Sequence, residues 1–167
     1  MKFSTFTKLV ILTIALTGCA TPKAVSGEKK AEIVHADSTP YNPEANAHSD
    51  VETALATSKA EGTMTIIAMG ANWCHDSRGF AWQFEKDRFQ TLLKDNYRLV
   101  YVDVGKKNRN IDIAQKFGVD NIVGTPTVFI IGPDGGVLNL ETAPTWRNAA
   151  SRSEDEIFDY FESFIKN

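Results

Sequence analysis

The chain has 167 residues, of which 43% are hydrophobic and 23% charged, with a formal net charge of -3. That balance is close to a folded soluble domain, so a core can be buried without covalent staples. Lysine and arginine are dispersed rather than gathered into a stripe, which excludes the electrostatic footprint of a nucleic-acid binder.

The first residues read as an address. Met1–Lys8 holds two lysines and no acid, and Leu9–Leu16 is nearly all apolar. A basic start followed by a short apolar run is a secretory signal, too short to span a bilayer stably. The run closes on Leu16-Thr17-Gly18-Cys19, which resembles the lipobox of bacterial lipoproteins. The resemblance implies cleavage before Cys19, lipidation of that residue and anchoring in the cell envelope. Residue 20 is Ala rather than Asp, which by the same resemblance favours the outer membrane, facing the periplasm, in a Gram-negative cell. The expected organisation is a signal peptide over 1–18, a lipid anchor and flexible tether over 19–48, and a folded domain over 49–167. The tether is rich in Ala, Ser, Thr, Pro, Glu and Lys, with Pro22, Pro40 and Pro43, a composition with little to bury. Glu32–His35 is its one candidate for a short edge strand. His35 and His48 read as solvated side chains rather than metal ligands.

The domain follows in order. Asp50–Ala60 places Val51, Ala54 and Leu55 on one helical face, with Asp50 as a candidate N-cap and Gly62 as a stop. Thr63–Met69 is a short apolar run, read as a buried strand. A helical stretch then runs to about Lys94 with a break near Asp87, its apolar face supplied by Phe80, Phe84, Phe89, Leu92 and Leu93. Tyr97–Val104 is a valine-rich strand, and Ile111–Phe117 a short helix ended by Gly118. Thr127–Ile131 is a strand, Pro133-Asp134-Gly135-Gly136 a turn, and Val137–Leu140 the returning strand of a hairpin. Ser153-Glu154-Asp155-Glu156 opens the last helix as a capping box, and Ile157, Phe161 and Phe164 line one face. The order predicts an α/β fold: a mixed sheet covered by helices.

Chemistry concentrates in Trp73-Cys74-His75-Asp76-Ser77, between a buried strand and a helix. Unpaired N–H groups and the positive end of the helix dipole then face the Cys74 sulfur, which favours the thiolate, the nucleophile of thiol–disulfide exchange. Ser77, one turn on, can aim its hydroxyl at the same sulfur. His75, if protonated, and Arg78 would support the thiolate, and Asp76 would oppose it.

Two stretches resemble the thioredoxin superfamily. Ala71-Asn72-Trp73-Cys74-x-x-Ser77 is similar to its Trp-Cys-x-x-Cys active-site turn, and Gly124-Thr125-Pro126-Thr127-Val128-Phe129 to its cis-proline loop. The resemblance spans about residues 50–167. It implies a thioredoxin-like three-layer α/β/α sandwich with a mixed central sheet, a cis Thr125–Pro126 peptide facing Cys74, and docking of a substrate strand by Thr125 and Pro126. Trp73 would shield the sulfur. Two positions depart from the pattern: Ser77 replaces the second cysteine, and Ala68 stands where thioredoxin has a buried acid.

These residues support two functions. One is monothiol exchange: Cys74 attacks a disulfide of an envelope protein, and a substrate thiol or an external reductant releases the mixed disulfide. The other is a tethered binding or chaperone module without redox turnover. No cofactor is implied. Cys74 with His75 supplies at most two metal ligands, short of a zinc site. Trp73 and Trp82 can equally be packing residues, Trp146 a surface contact, and Lys106–Arg109 a solvated loop.

Overall fold

The computed structural model describes residues 38–166. The signal, Cys19, Glu32–His35 and His35 lie outside the described residues.

The described chain runs α1 (Ala47–Glu61), β1 (Met64–Gly70), α2 (His75–Phe84), α3 (Asp87–Asn96), β2 (Tyr97–Asp103), α4 (Ile111–Lys116), β3 (Thr127–Ile131), 3₁₀ turns at Ala143–Trp146 and Ala149–Ser151, and α5 (Glu154–Ser163). The strand order is β2-β1-β3. β1 pairs parallel with β2, from Met64 opposite Tyr97 to Gly70 opposite Asp103. It pairs antiparallel with β3, from Thr65 opposite Ile131 to Met69 opposite Thr127. The sheet is therefore mixed. β1 is central, and its buried run from Thr65 to Gly70 reflects cover on both faces.

Strand alternation splits the core into two layers. Ile67, Met69, Phe129 and Ile131 face one side, with Val51 of α1 and Ile113 of α4. Ile66, Ala68, Val128 and Ile130 face the other, with Phe80, Phe84, Phe89, Ile157 and Phe161 of α2, α3 and α5. This is the expected three-layer α/β/α sandwich.

Of four local readings, the structure bears out one, the break near Asp87, and changes the other three. The cap of α1 is Asn46, whose side chain accepts from Ser49 N–H at 3.2 Å, so the helix starts before Asp50. The break near Asp87 is a true division into two helices, with Lys86 extended between them. The expected hairpin strand Val137–Leu140 shrinks to one bridge, Ile131 with Val137. Beyond it the Asn139 side chain does the work of a strand. Its Oδ1 accepts from Ile130 N–H and its Nδ2 donates to the Val128 carbonyl, both at 2.8 Å. A side-chain amide offers the same donor and acceptor as a peptide, so it satisfies both groups of the sheet edge. Fourth, Trp146 is fully buried rather than a surface contact. It stacks on Phe161 with centroids 5.3 Å apart and meets Phe80 edge-on at 5.5 Å. The 3₁₀ turn ending at Trp146 carries it into the aromatic layer. The capping box of α5 forms as expected, with Ser153 N–H donating to Glu156 Oε2 at 2.7 Å and Glu156 N–H to Ser153 Oγ at 3.2 Å.

The composition of residues 38–48 predicts tether, yet this stretch packs on the domain. Tyr41 is fully buried, and its ring meets Tyr101 edge-on at 5.3 Å. His48 at the start of α1 lies 3.2 Å from Asp112 of α4. One aromatic anchor is enough to seat a segment whose average composition is polar, because burying a tyrosine ring removes a large apolar area from water.

Candidate active site

β1 ends at Gly70, and the chain turns through Ala71, Asn72 and Trp73 into α2. Cys74 N–H donates to the Ala71 carbonyl at 3.0 Å, closing the turn, and the Cys74 carbonyl accepts from Arg78 N–H at 3.1 Å, opening the helix. Cys74 is thus the N-cap residue of α2, with extended φ and ψ of -86° and 123°. Helix N-termini leave backbone donors unpaired, so the thiol sits where negative charge is favoured. Cys74 is partly exposed and free.

The thiol faces the loop before β3. Cys74 Sγ donates to the Thr125 carbonyl at 3.2 Å, and the Thr125–Pro126 peptide is cis. The turn and the loop, 51 residues apart in sequence, therefore meet at the sulfur. Trp73 stands beside them 57% exposed, fixed by donation from its Nε1 to the Gly105 carbonyl at 2.8 Å. It is an outward-facing wall rather than a packing residue. His75 is exposed in the first turn of α2.

Two side chains of the turn have backbone partners that the sequence did not indicate. Ser77 is fully buried, and its Oγ accepts from Ala71 N–H at 3.4 Å. The hydroxyl thereby braces the turn from behind. Asp76 accepts from Ala150 N–H at 3.0 Å. Its carboxylate thereby ties the start of α2 to the 3₁₀ turn Ala149–Ser151. Ala68 is fully buried, between Tyr101 and Val128 in the sheet, leaving an apolar place below the turn.

Sequence reasoning missed Tyr41 and Asn72. Tyr41 N–H donates to Asn72 Oδ1 at 3.1 Å, and Asn72 Nδ2 returns to the Tyr41 carbonyl at 2.8 Å. The Tyr41 hydroxyl donates to the Ser77 carbonyl at 3.4 Å. Its ring occupies the space over Gly70, where any Cβ would lie 2.6 Å from the ring and 2.7 Å from Ser77 Oγ. Only glycine admits this contact. Burial pushes the Tyr41 phenol well above its ordinary range, with Tyr101 adding to the rise and Cys74 contributing less. Tyr41 is thus a neutral donor behind the turn. A lone aromatic between Pro40 and Pro43 was the only signal available in the sequence.

A Trp-Cys turn at a helix N-terminus, facing a cis-proline loop across a mixed sheet, defines a thioredoxin-like domain. A family model described as thioredoxin-like matches residues 46–133. The chain belongs to this family. The crystal structure of a disulphide isomerase from Xylella fastidiosa Temecula1 is similar to it, with a TM-score of 0.71 and 30% identity over 76% of this chain and 97% of that one. A wild-type thioredoxin h of poplar shares the fold at 14% identity, with a TM-score of 0.50 over 74% of this chain and 93% of that one. No curated protein matches the chain.

Proposed function

We propose that this protein carries out thiol–disulfide exchange by a monothiol route through Cys74, tethered to the bacterial envelope by lipidated Cys19. The observation that carries the reading is the seat of the thiol. It is partly exposed, at the N-terminus of α2, and 3.2 Å from the carbonyl that precedes the cis-proline. The similarity to a disulphide isomerase supports the same chemistry. The basic start, apolar run and Cys19 support the anchor.

The reaction needs only thiols and disulfides. The Cys74 thiolate attacks one sulfur of a substrate disulfide, a new S–S bond forms, and the other substrate sulfur leaves as a thiolate. With Ser77 in place of a second cysteine, no sulfur of the active-site turn reverses this step. A second thiol attacks the mixed disulfide, frees Cys74 and takes over the S–S bond. If that thiol belongs to the same substrate the net result is isomerisation. If it belongs to an external reductant the net result is reduction. Trp73 covers the sulfur on one side, and Thr125 with Pro126 presents the backbone edge along which a substrate strand lies.

The test is capture in the native envelope. Wild type and Cys74→Ala are quenched rapidly in acid and compared on non-reducing gels. Partners bound by wild type and lost in the variant are the expected result. An empty wild-type lane, with the protein present and folded, points instead to a binding module without redox turnover.

A further inference from the structure

Two arginines lie in the stretch between β3 and α5, and one of them reaches the site. Arg147 is exposed, but its stem packs on Gly124, where a Cβ would lie 3.0 Å from both Cβ and Cδ of the arginine. Gly124 directly precedes Thr125, whose carbonyl holds the Cys74 sulfur. A cleft of about 360 Å³ opens here, lined by Val123, Pro144, Thr145, Arg147 and Asn148. Val123 is 61% exposed and gives it an apolar rim.

Arg152 braces the cleft. Its Nε donates to Asn148 Oδ1 at 3.0 Å and its Nη2 to the Thr145 carbonyl at 3.1 Å. Its guanidinium lies 4.2 Å from the centroid of the Trp146 ring. Lys107 Nζ also reaches this segment, donating to the Val123 carbonyl at 3.4 Å. Among the described residues, neither Arg147 nor Arg152 forms an ion pair. Two cations, Arg147 at Gly124 and Lys107 at Val123, therefore sit without an ion pair among the described residues on the loop that leads into Thr125.

We propose that this cleft is an anionic side-chain subsite that takes an Asp or Glu of a protein substrate, a few residues from the cysteine under attack. The proposal rests on the exchange reading and adds a substrate preference to it. Arg147 supplies the charge, Thr145 and Asn148 supply polar walls, and Val123 supplies the apolar rim. Arg147 is a specificity residue and takes no part in the bond exchange.

The test uses short cysteine peptides activated as mixed disulfides with neutral thiopyridine, carrying Asp, Asn or Lys near the cysteine. Cys74 attacks the peptide sulfur, the peptide becomes disulfide-bonded to Cys74, and thiopyridone leaves and is read by absorbance. The expected ratio of Asp to Asn rates is about threefold, the scale of one solvent-exposed ion pair, and it falls as salt rises. Arg147→Gln brings the ratio to about one, Arg147→Glu inverts it towards the Lys peptide, and Arg147→Lys keeps it. An Asp to Asn ratio equal in wild type and Arg147→Gln overturns the proposal. A second readout does not need the chemistry: titration of Cys74→Ser protein with peptides bearing serine for cysteine. If no peptide reacts, the exchange reading fails. The binding titration then decides the subsite alone, by whether the Asp preference is present in this protein and lost with Arg147→Gln.

Discussion

Tyr41→Ala removes the anchor that holds residues 38–46 behind the active-site turn. The ring is fully buried, packed on Tyr101 and over Gly70. Truncating a core aromatic costs about 3–5 kcal/mol. The low end applies here, because Tyr41 sits in a surface-running segment without regular structure that can close part of the cavity. The expected loss is about 3 kcal/mol, a fall in Tm of roughly 10 °C for a domain of this size. Tyr41→Phe separates packing from hydrogen bonding. It loses the hydrogen bonding of the phenol to Ser77, including the 3.4 Å bond to the Ser77 carbonyl, worth about 0.5–1.5 kcal/mol. The assay is urea unfolding followed by tryptophan fluorescence, with limited proteolysis of residues 38–46 as a local readout. Rapid cleavage in that segment of Tyr41→Ala, with wild type protected, is expected. A Tyr41→Ala protein within about 1 kcal/mol of wild type, cut no faster, would refute the claim that this segment belongs to the folded domain.

Three further outcomes follow from the geometry. Asn139→Leu leaves Ile130 N–H and the Val128 carbonyl without their partners. A loss of about 2–4 kcal/mol is expected in denaturant unfolding, and Asn139→Leu as stable as wild type would show that the side chain is no substitute for a strand. Burial raises the phenols of Tyr41, Tyr97 and Tyr101 above the ordinary value of 10.0. The unfolded chain then loses these protons first, so stability is level below about pH 10 and declines above it. Melts across that range, with Tyr41→Phe showing a shallower decline, check the sign. Ser77→Cys puts a second sulfur one turn along α2 and is expected to shorten the life of a mixed disulfide on Cys74, measured by acid quenching and intact mass; an unchanged lifetime would mean that the buried site at Ser77 holds a side chain out of reach of the sulfur.

Much of the fold was legible because its elements carry strong periodic signals. β1 reads as a continuous apolar run because both of its faces are covered. α5 is announced by its capping box and by Ile157 and Phe161 on one face. The thiol turn and the cis-proline loop were legible as residue patterns, and the structure brings them to 3.2 Å. What was hidden depends on tertiary partners. Asn139 looks like a turn residue until the edge of β3 is in place to receive its amide. Trp146 sits in a loop with no periodicity, and only the aromatic layer beneath explains its burial. Ser77 and Asp76 were assigned to the sulfur by spacing along a helix. Spacing fixes which face a side chain leaves from, but the observed backbone partners lie outside the helix, Ala71 in the turn before it and Ala150 in a distant 3₁₀ turn.

The central claim is that Cys74 exchanges disulfides and that the active-site turn, with Ser77 in place of a second cysteine, holds no thiol to complete the cycle. Its most direct measurement is intact mass spectrometry of the purified domain, quenched in acid at intervals after mixing with a peptide disulfide. The account predicts that one peptide adduct forms on Cys74 faster than on a free peptide thiol at neutral pH. The adduct then persists until an external thiol is added, which removes it and restores the starting mass. No adduct under these conditions, or an adduct that disappears without added thiol, would contradict it.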